Sequence, residues 1–298
     1  MKNKNEMKWR LAFMGKKKQI KRLAEANIRI LRSGKLKVSK NKKIPLKPFV
    51  KESVENSIVS RLDGIISKED VIIDTENLRC DITSNLTDEI KTVDLANRAK
   101  SVKTQTIVVS TSKKAATNIF DFINTDAIGM LLRTSTLGSI YSEVRDKWVD
   151  LNKDDSTHFT NVLFIPKILV FLDFNTGKIR KTPLTVNLLI VATPSINKMT
   201  ENSIEEMSQT DATSRVIADI LDSAIKCGCK SLVLYPYGNK ITQKDKSESG
   251  NLWFTITSTQ RVIENIESII FTFDDDNESD YIVFNASKNR IPSVSSDL

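Results

Sequence analysis

The chain has 298 residues, 40% hydrophobic and 28% charged, the balance of a soluble globular protein long enough for one large α/β domain with an added segment or for two small domains. No apolar run approaches the roughly 20 residues of a membrane-spanning helix, which argues against a transmembrane protein. The net charge of +8 is unevenly placed: residues 1–51 hold 18 lysines and arginines against Glu6 and Glu25, a net of +16, and the other 247 residues sum to −8.

At the N-terminus, Lys2, Lys4, Lys8 and Arg10 precede a Leu11–Met14 patch that is too short for the apolar region of a signal peptide and runs into Lys16-Lys17-Lys18. Three cysteines, an odd number, fit a reducing compartment, so the expected location is cytoplasmic or nuclear. The sequons at Asn85, Asn277 and Asn285 then read as chance matches. The basic block, including Lys16, Lys17, Lys18, Lys21 and Arg22, suits a nucleic acid, an acidic protein surface or anionic lipid through counterion release. It reads equally well as a solvated arm that keeps the chain soluble. Lysine outnumbers arginine there and Trp9, Phe13 and Phe49 are the only aromatics, so any binding is expected to be electrostatic rather than by base stacking.

In chain order, Ile20, Leu23, Ala24, Ile28 and Leu31 predict an amphipathic helix over 16–33, with Gly34 as its left-handed cap. Pro45 and Pro48 interrupt the next stretch, and Val54–Ile66 reads as a second, shorter helical segment. Beyond residue 100, Thr106–Ser110, Val162–Leu172, Val186–Ala192, Ser231–Tyr235 and Ser268–Phe273 are short apolar runs rich in β-branched residues, as strands buried on both faces require. Asp126–Leu137 and Thr213–Lys226 have helical periodicity between them. Asn175-Thr176-Gly177-Lys178 predicts a hairpin turn, while residues 195–212 and 274–280 read as surface loops. This alternation predicts a largely parallel sheet covered by helices on both sides, over 101–298, with 1–100 as a basic helical extension packed with it as one unit.

Few residues offer chemistry. The single histidine, His158, lies in a polar stretch; Cys227-Gly228-Cys229 is one residue too tight for a zinc clasp, and Gly228 instead reads as the cap of the preceding helix. Asp274–Asp276 lack the alternation and glycine turn of a calcium loop. No metal and no cofactor are expected, since Gly-rich phosphate loops are absent from a chain with only 9 glycines. One candidate remains: Tyr235, Tyr237, Gly238, Asn239 and Lys240 follow a predicted strand at the carboxyl edge of the sheet, where they read either as a phosphate- or base-binding loop or as a plain connection stiffened by Pro236.

Taken together, the basic helix with its Arg32-Ser33-Gly34-Lys35 turn, the TIVVS strand, LLRTSTL, VLFIPKILVFLDFNTGK, VNLLIVATPS, DILDSAIKCGCKSLVLYPYGN and IIFTF resemble, in order and spacing, microbial-type poly(ADP-ribose) glycohydrolases. The resemblance spans residues 16 to 286, with Leu131–Leu137 and Ser231–Gly238 its most specific segments. It implies a macro-domain-like three-layer α/β/α fold with a mixed, largely parallel sheet and a basic N-terminal helical extension. In that family an asparagine-containing segment and a glycine triplet lead to a Gln-Glu-Glu motif before the helix. Aligned on Arg133 and Ser135, the triplet falls on Thr117-Asn118-Ile119 and the acid motif on Ala127-Ile128-Gly129. Asn118 is the one residue there retained as a ligand candidate.

Isoleucine and glycine donate no proton, so loss of the acid removes the roughly 10²–10⁴-fold credited to acid–base catalysis. Without the glycines, side chains intervene between backbone N–H groups and a diphosphate. The expectation is a pseudoenzyme used for binding or assembly, with ADP-ribose binding disfavoured and self-assembly a further use. The abundance of lysine, asparagine, isoleucine and serine points to an AT-rich genome, so a viral or phage scaffolding role is one form of this expectation. The alternatives are a nucleic-acid-associated protein working through residues 1–51, an ADP-ribose binder, or an active glycohydrolase in which Asp121 or Asp126 replaces the acid. Asp126 reads more simply as a helix cap.

Overall fold

The computed structural model describes residues 4–63, 78–82, 104–116, 127–153, 159–174, 176–196, 208–237, 246–273 and 278–288. Helix α1 (Lys4–Ser33) opens the chain, so the helix expected from residue 16 is the second part of a longer one. Leu23 and Asn27 point inward while Lys18, Lys21, Arg22 and Arg29 are exposed, and Gly34 at φ 67° ends the helix in the left-handed region. Strands β1 (Lys35–Lys37) and β2 (Lys43–Pro45) form a small antiparallel hairpin. Helix α2 (Lys47–Glu55) comes next, with Pro48 in its first turn where a missing N–H is harmless.

The helix expected over Val54–Ile66 is not what forms. Asn56 and Ser57 end α2, and Ile58–Asp63 is strand β3, antiparallel to β6 (Phe159–Leu172). Pairing with a distant strand overrides the local helical spacing. The remaining elements are β4 (Leu78–Ile82), β5 (Thr106–Ser112), α3 (Lys113–Ala116), α4 (Ala127–Thr134), α5 (Leu137–Leu151), β7 (Ile179–Thr193), α6 (Gln209–Lys226), β8 (Ser231–Leu234), α7 (Lys246–Thr257), α8 (Gln260–Asn265), β9 (Ser268–Phe273) and α9 (Glu278–Lys288). Residues 209–212, expected in a loop, are the first turn of α6, whose cap Ser208 accepts from the Asp211 N–H at 3.1 Å. Residues 278–280 likewise begin α9.

One sheet has the order β3-β6-β7-β5-β8-β9-β4, and of its strands only β6 runs against the rest. Both edge strands, β3 and β4, come from the first 100 residues. Alternate residues of the central strands enter two cores. Ile107, Leu163, Ile190 and Val233 meet α4, α5 and α2 on one face. Val108, Val162, Leu189 and Phe271 meet α6, α7, α8 and α9 on the other, where Phe271 and Phe284 lie 4.9 Å apart at the centre of an aromatic cluster. The result is a three-layer α/β/α arrangement with a mixed, mostly parallel sheet.

The turn predicted around Gly177 is present, with Gly177 at φ 65° and its N–H donating to the Asp173 carbonyl at 2.8 Å, and it joins β6 to β7 as a long antiparallel ribbon. The ladder shifts between Ile165 and Ile168, where Pro166 has no N–H and Lys167 takes φ 56°. Below that bulge the ribbon is two-stranded, which is marginal alone. It is completed by a third cluster in which Leu169, Phe171 and Leu172 pack against Leu36 and Leu46, with Ala26, Ile30 and Leu31 of α1 alongside. Buried Asn27 fixes α1 to the domain by donating to the Leu132 carbonyl at 2.5 Å.

Asp219 of α6 is a buried carboxyl at the second core, 7% exposed, and accepts from the Thr160 hydroxyl at 2.5 Å. Burial raises its pKa, against smaller lowering by Thr160 and Arg215. Because the folded value exceeds the unfolded one, about 3.9, the folded chain keeps a proton that the unfolded chain releases. Stability therefore falls as pH rises through the unfolded value and levels off above the folded one. Asp219→Asn keeps an oxygen facing Thr160 and removes the charge, so its urea midpoint is expected to exceed that of the parent at pH 7 and to lose this decline. Parallel pH profiles for the two proteins would refute the assignment.

Candidate functional site

Strand β5 lies between β7 and β8. The chain leaving it enters the first helical layer, whereas the chains leaving β7 and β8 enter the second. The carboxyl end of β5 is therefore the switch point where open α/β sheets present a ligand crevice.

Three residues meet there. Thr193 ends β7 opposite Ser112 of β5, and its hydroxyl donates to the Thr111 carbonyl at 3.4 Å. Tyr237, three residues past the end of β8, lies near enough to Thr193 for that side chain to act on its phenol. The Tyr237 carbonyl accepts from the Trp253 indole N–H at 2.9 Å and the Ser249 hydroxyl at 3.2 Å, which fixes the other end of the residue. Burial raises the pKa of the phenol above its usual value, with Thr193 opposing, so it is neutral at pH 7.

Tyr235 faces the second core, its ring 5.8 Å from Phe273 and tilted by 59°. Tyr235 and Tyr237 are thus both at the expected edge but in different settings. Gly238, Asn239, Lys240 and Asn118 lie outside the described residues, as do His158, Asp121, Asp126 and residues 117–119. Lys18, Lys21 and Arg22 are exposed on α1, and the side chains of Lys16 and Lys17 are outside the described set.

The aligned acid position lies in the interior. Ile128 is 0% exposed within the first core, Gly129 is buried beside it, and every residue of α4 is buried. The LLRTSTL segment has a structural role beyond this helix. Ser135 forms an isolated bridge with Val170, the Thr136 N–H donates to the Leu169 carbonyl at 3.0 Å, and the Leu169 N–H donates to the Thr136 hydroxyl at 3.0 Å. That segment therefore stitches the two-stranded ribbon to the helices.

Gly228, at φ 69°, caps α6 as expected. Burial pushes the Cys227 thiol up to about 12 and the Cys229 thiol up to about 11, so both are protonated and poor ligands or nucleophiles at neutral pH. Among the described residues no group of three or more His, Cys, Asp or Glu could hold a metal. Nor is any helix among them long and apolar enough to cross a membrane. Sequence reading missed Thr193, Ser249 and Trp253, because each gains its role from strand order and helix packing, not from a neighbour in sequence.

No protein-family model matches the chain, and no curated protein matches it significantly. Solved structures do. The poly(ADP-ribose) glycohydrolase of Thermomonospora curvata superposes with a TM-score of 0.65 at 16% identity, over 91% of this chain and 99% of that one. The same enzyme bound to the inhibitor ADP-HPD gives a TM-score of 0.63 at 16% identity over 90% and 98% of the two chains. The Deinococcus radiodurans glycohydrolase in complex with ADP-ribose gives 0.53 at 13% identity over 82% and 90%. The chain has the fold of these bacterial enzymes along nearly its whole length.

Proposed function

We propose that this is a protein of poly(ADP-ribose) glycohydrolase fold that has lost the acid-catalysed cleavage and acts by binding or assembly. The observation that carries the reading is the burial of Ile128 and Gly129 at the aligned acid position. A general acid must lie within hydrogen-bond reach of the oxygen it protonates, and a fully buried apolar side chain meets neither the chemical nor the positional requirement.

The test is release of ADP-ribose from poly(ADP-ribose) by the full chain, with titration calorimetry of free ADP-ribose alongside. No release above the buffer rate is expected. Release that Asp126→Ala or Asp121→Ala abolishes would overturn the proposal and identify the displaced acid. Heat of binding without release would leave the loss of cleavage standing and identify the ligand.

A further inference from the structure

We infer that the surface formed by the exposed side of α1, the β1–β2 hairpin and the β6–β7 turn binds the phosphate backbone of a nucleic acid. From Lys18 to Lys51 the chain carries twelve lysines and arginines, all exposed, against the single acid Glu25 before α2 adds Glu52 and Glu55. Those two glutamates are already engaged, Glu55 with Lys51 at 3.6 Å and Glu52 with Lys167. Glu25 is then the one acid set against the ten cations from Lys18 to Lys43, so it offsets little of the charge of α1 and the hairpin.

The fold adds charge that the sequence places far away. Gln19 of α1 donates to the Phe174 carbonyl at 3.3 Å, and Leu23 lies against Gly177, so α1 rests on the β6–β7 turn. Lys18 and Arg22 neighbour those contact residues in the helix, and exposed Lys178 and Lys181, from the otherwise acidic remainder of the chain, follow the turn they contact. The acid at this turn, Asp173, accepts through Oδ1 from the Thr176 N–H and hydroxyl, both at 2.8 Å.

Nine of the twelve cations are lysine, a compact point charge that contacts a phosphate singly and without sequence selectivity. Along α1 the charge from Lys18 to Arg32 extends over about 21 Å and continues into the hairpin, and charge spread over such a length matches a linear polyanion better than a single anionic group. Phe49, the one aromatic of the face among residues with described side chains, is partly buried against the third core, so base stacking adds nothing and no sequence preference is expected.

Fluorescence anisotropy of the full chain with a mixed-sequence duplex DNA, over a series of salt concentrations, tests this. Binding is expected at low salt, weakening as salt rises with a slope of about 0.9 per phosphate contact. The double variant Lys178→Glu/Lys181→Glu should weaken binding several-fold and flatten that slope by about 2, since each reversed lysine removes about one contact. Lys153→Glu, beyond the opposite end of β6, serves as the control and should leave the slope unchanged. Absence of binding at low salt overturns the inference, as does an equal response of the turn variant and the control. Tighter binding to polyglutamate or to phosphatidylserine vesicles than to DNA at equal salt would also overturn it. Circular dichroism of each variant separates lost contacts from lost fold.

Discussion

Ile128→Glu is expected to lower stability by about 3–5 kcal/mol and not to restore cleavage, because it sets an unpaired carboxylate in a closed apolar core. The side chain at 128 is 0% exposed, with Leu131, Leu132 and Ile140 in the same apolar cluster. The carboxyl would take up a proton to escape ionisation, yet even neutral it would leave polar atoms unsatisfied, at about 1–3 kcal/mol. Ile128→Val removes one methylene from the same place and should cost only about 0.5–1.5 kcal/mol. Urea denaturation followed by circular dichroism measures both. If Ile128→Glu folded with unchanged stability and gained poly(ADP-ribose) cleavage, residue 128 would open onto a cleft and would not belong to a closed core.

Trp148→Ala should be nearly as damaging, at about 3–5 kcal/mol, since it empties the largest side chain of the first core. It also removes a specific tie. The Trp148 indole N–H donates to the Ala116 carbonyl at 3.0 Å, joining α5 to the end of α3, which is the chain leaving the carboxyl end of β5. Trp148→Phe keeps most of the volume and strands that carbonyl, so it separates the two contributions, with an expected loss of about 1–3 kcal/mol from the hydrogen bond and a smaller cavity cost. Comparable losses in the alanine and phenylalanine variants would mean that the hydrogen bond, not the packing, dominates at this position.

The strands of the sheet's interior were legible in the sequence because burial on both faces demands unbroken apolar runs, and β5, β6, β7, β8 and β9 all show them. The edge strands were not. In β3, Ser60 and Arg61 interrupt the apolar pattern, and in β4, Arg79 and Asp81 do the same, as suits strands with one side unpaired among the described residues. LLRTSTL read as one helix, but it divides at Ser135 and Thr136, since a strand more than 30 residues away captures their backbone. The candidate site was legible only as a loop after β8. That Tyr237, after β8, comes near Thr193 at the end of β7 depends on the order β7-β5-β8, which no local pattern encodes.

Because the two edge strands come early in the chain and their partners come late, the order of synthesis works against the order of assembly. Ile58 pairs with Phe164, and Leu78 waits for Ile269 near the other terminus. While the ribosome is still translating, β4 has no neighbour and its backbone donors and acceptors remain open to any extended chain that passes. Such high contact order slows folding and lengthens this exposure. Lysines and arginines crowded into the first 51 residues keep the nascent chain highly charged through that interval, when like-charge repulsion is its main defence against association.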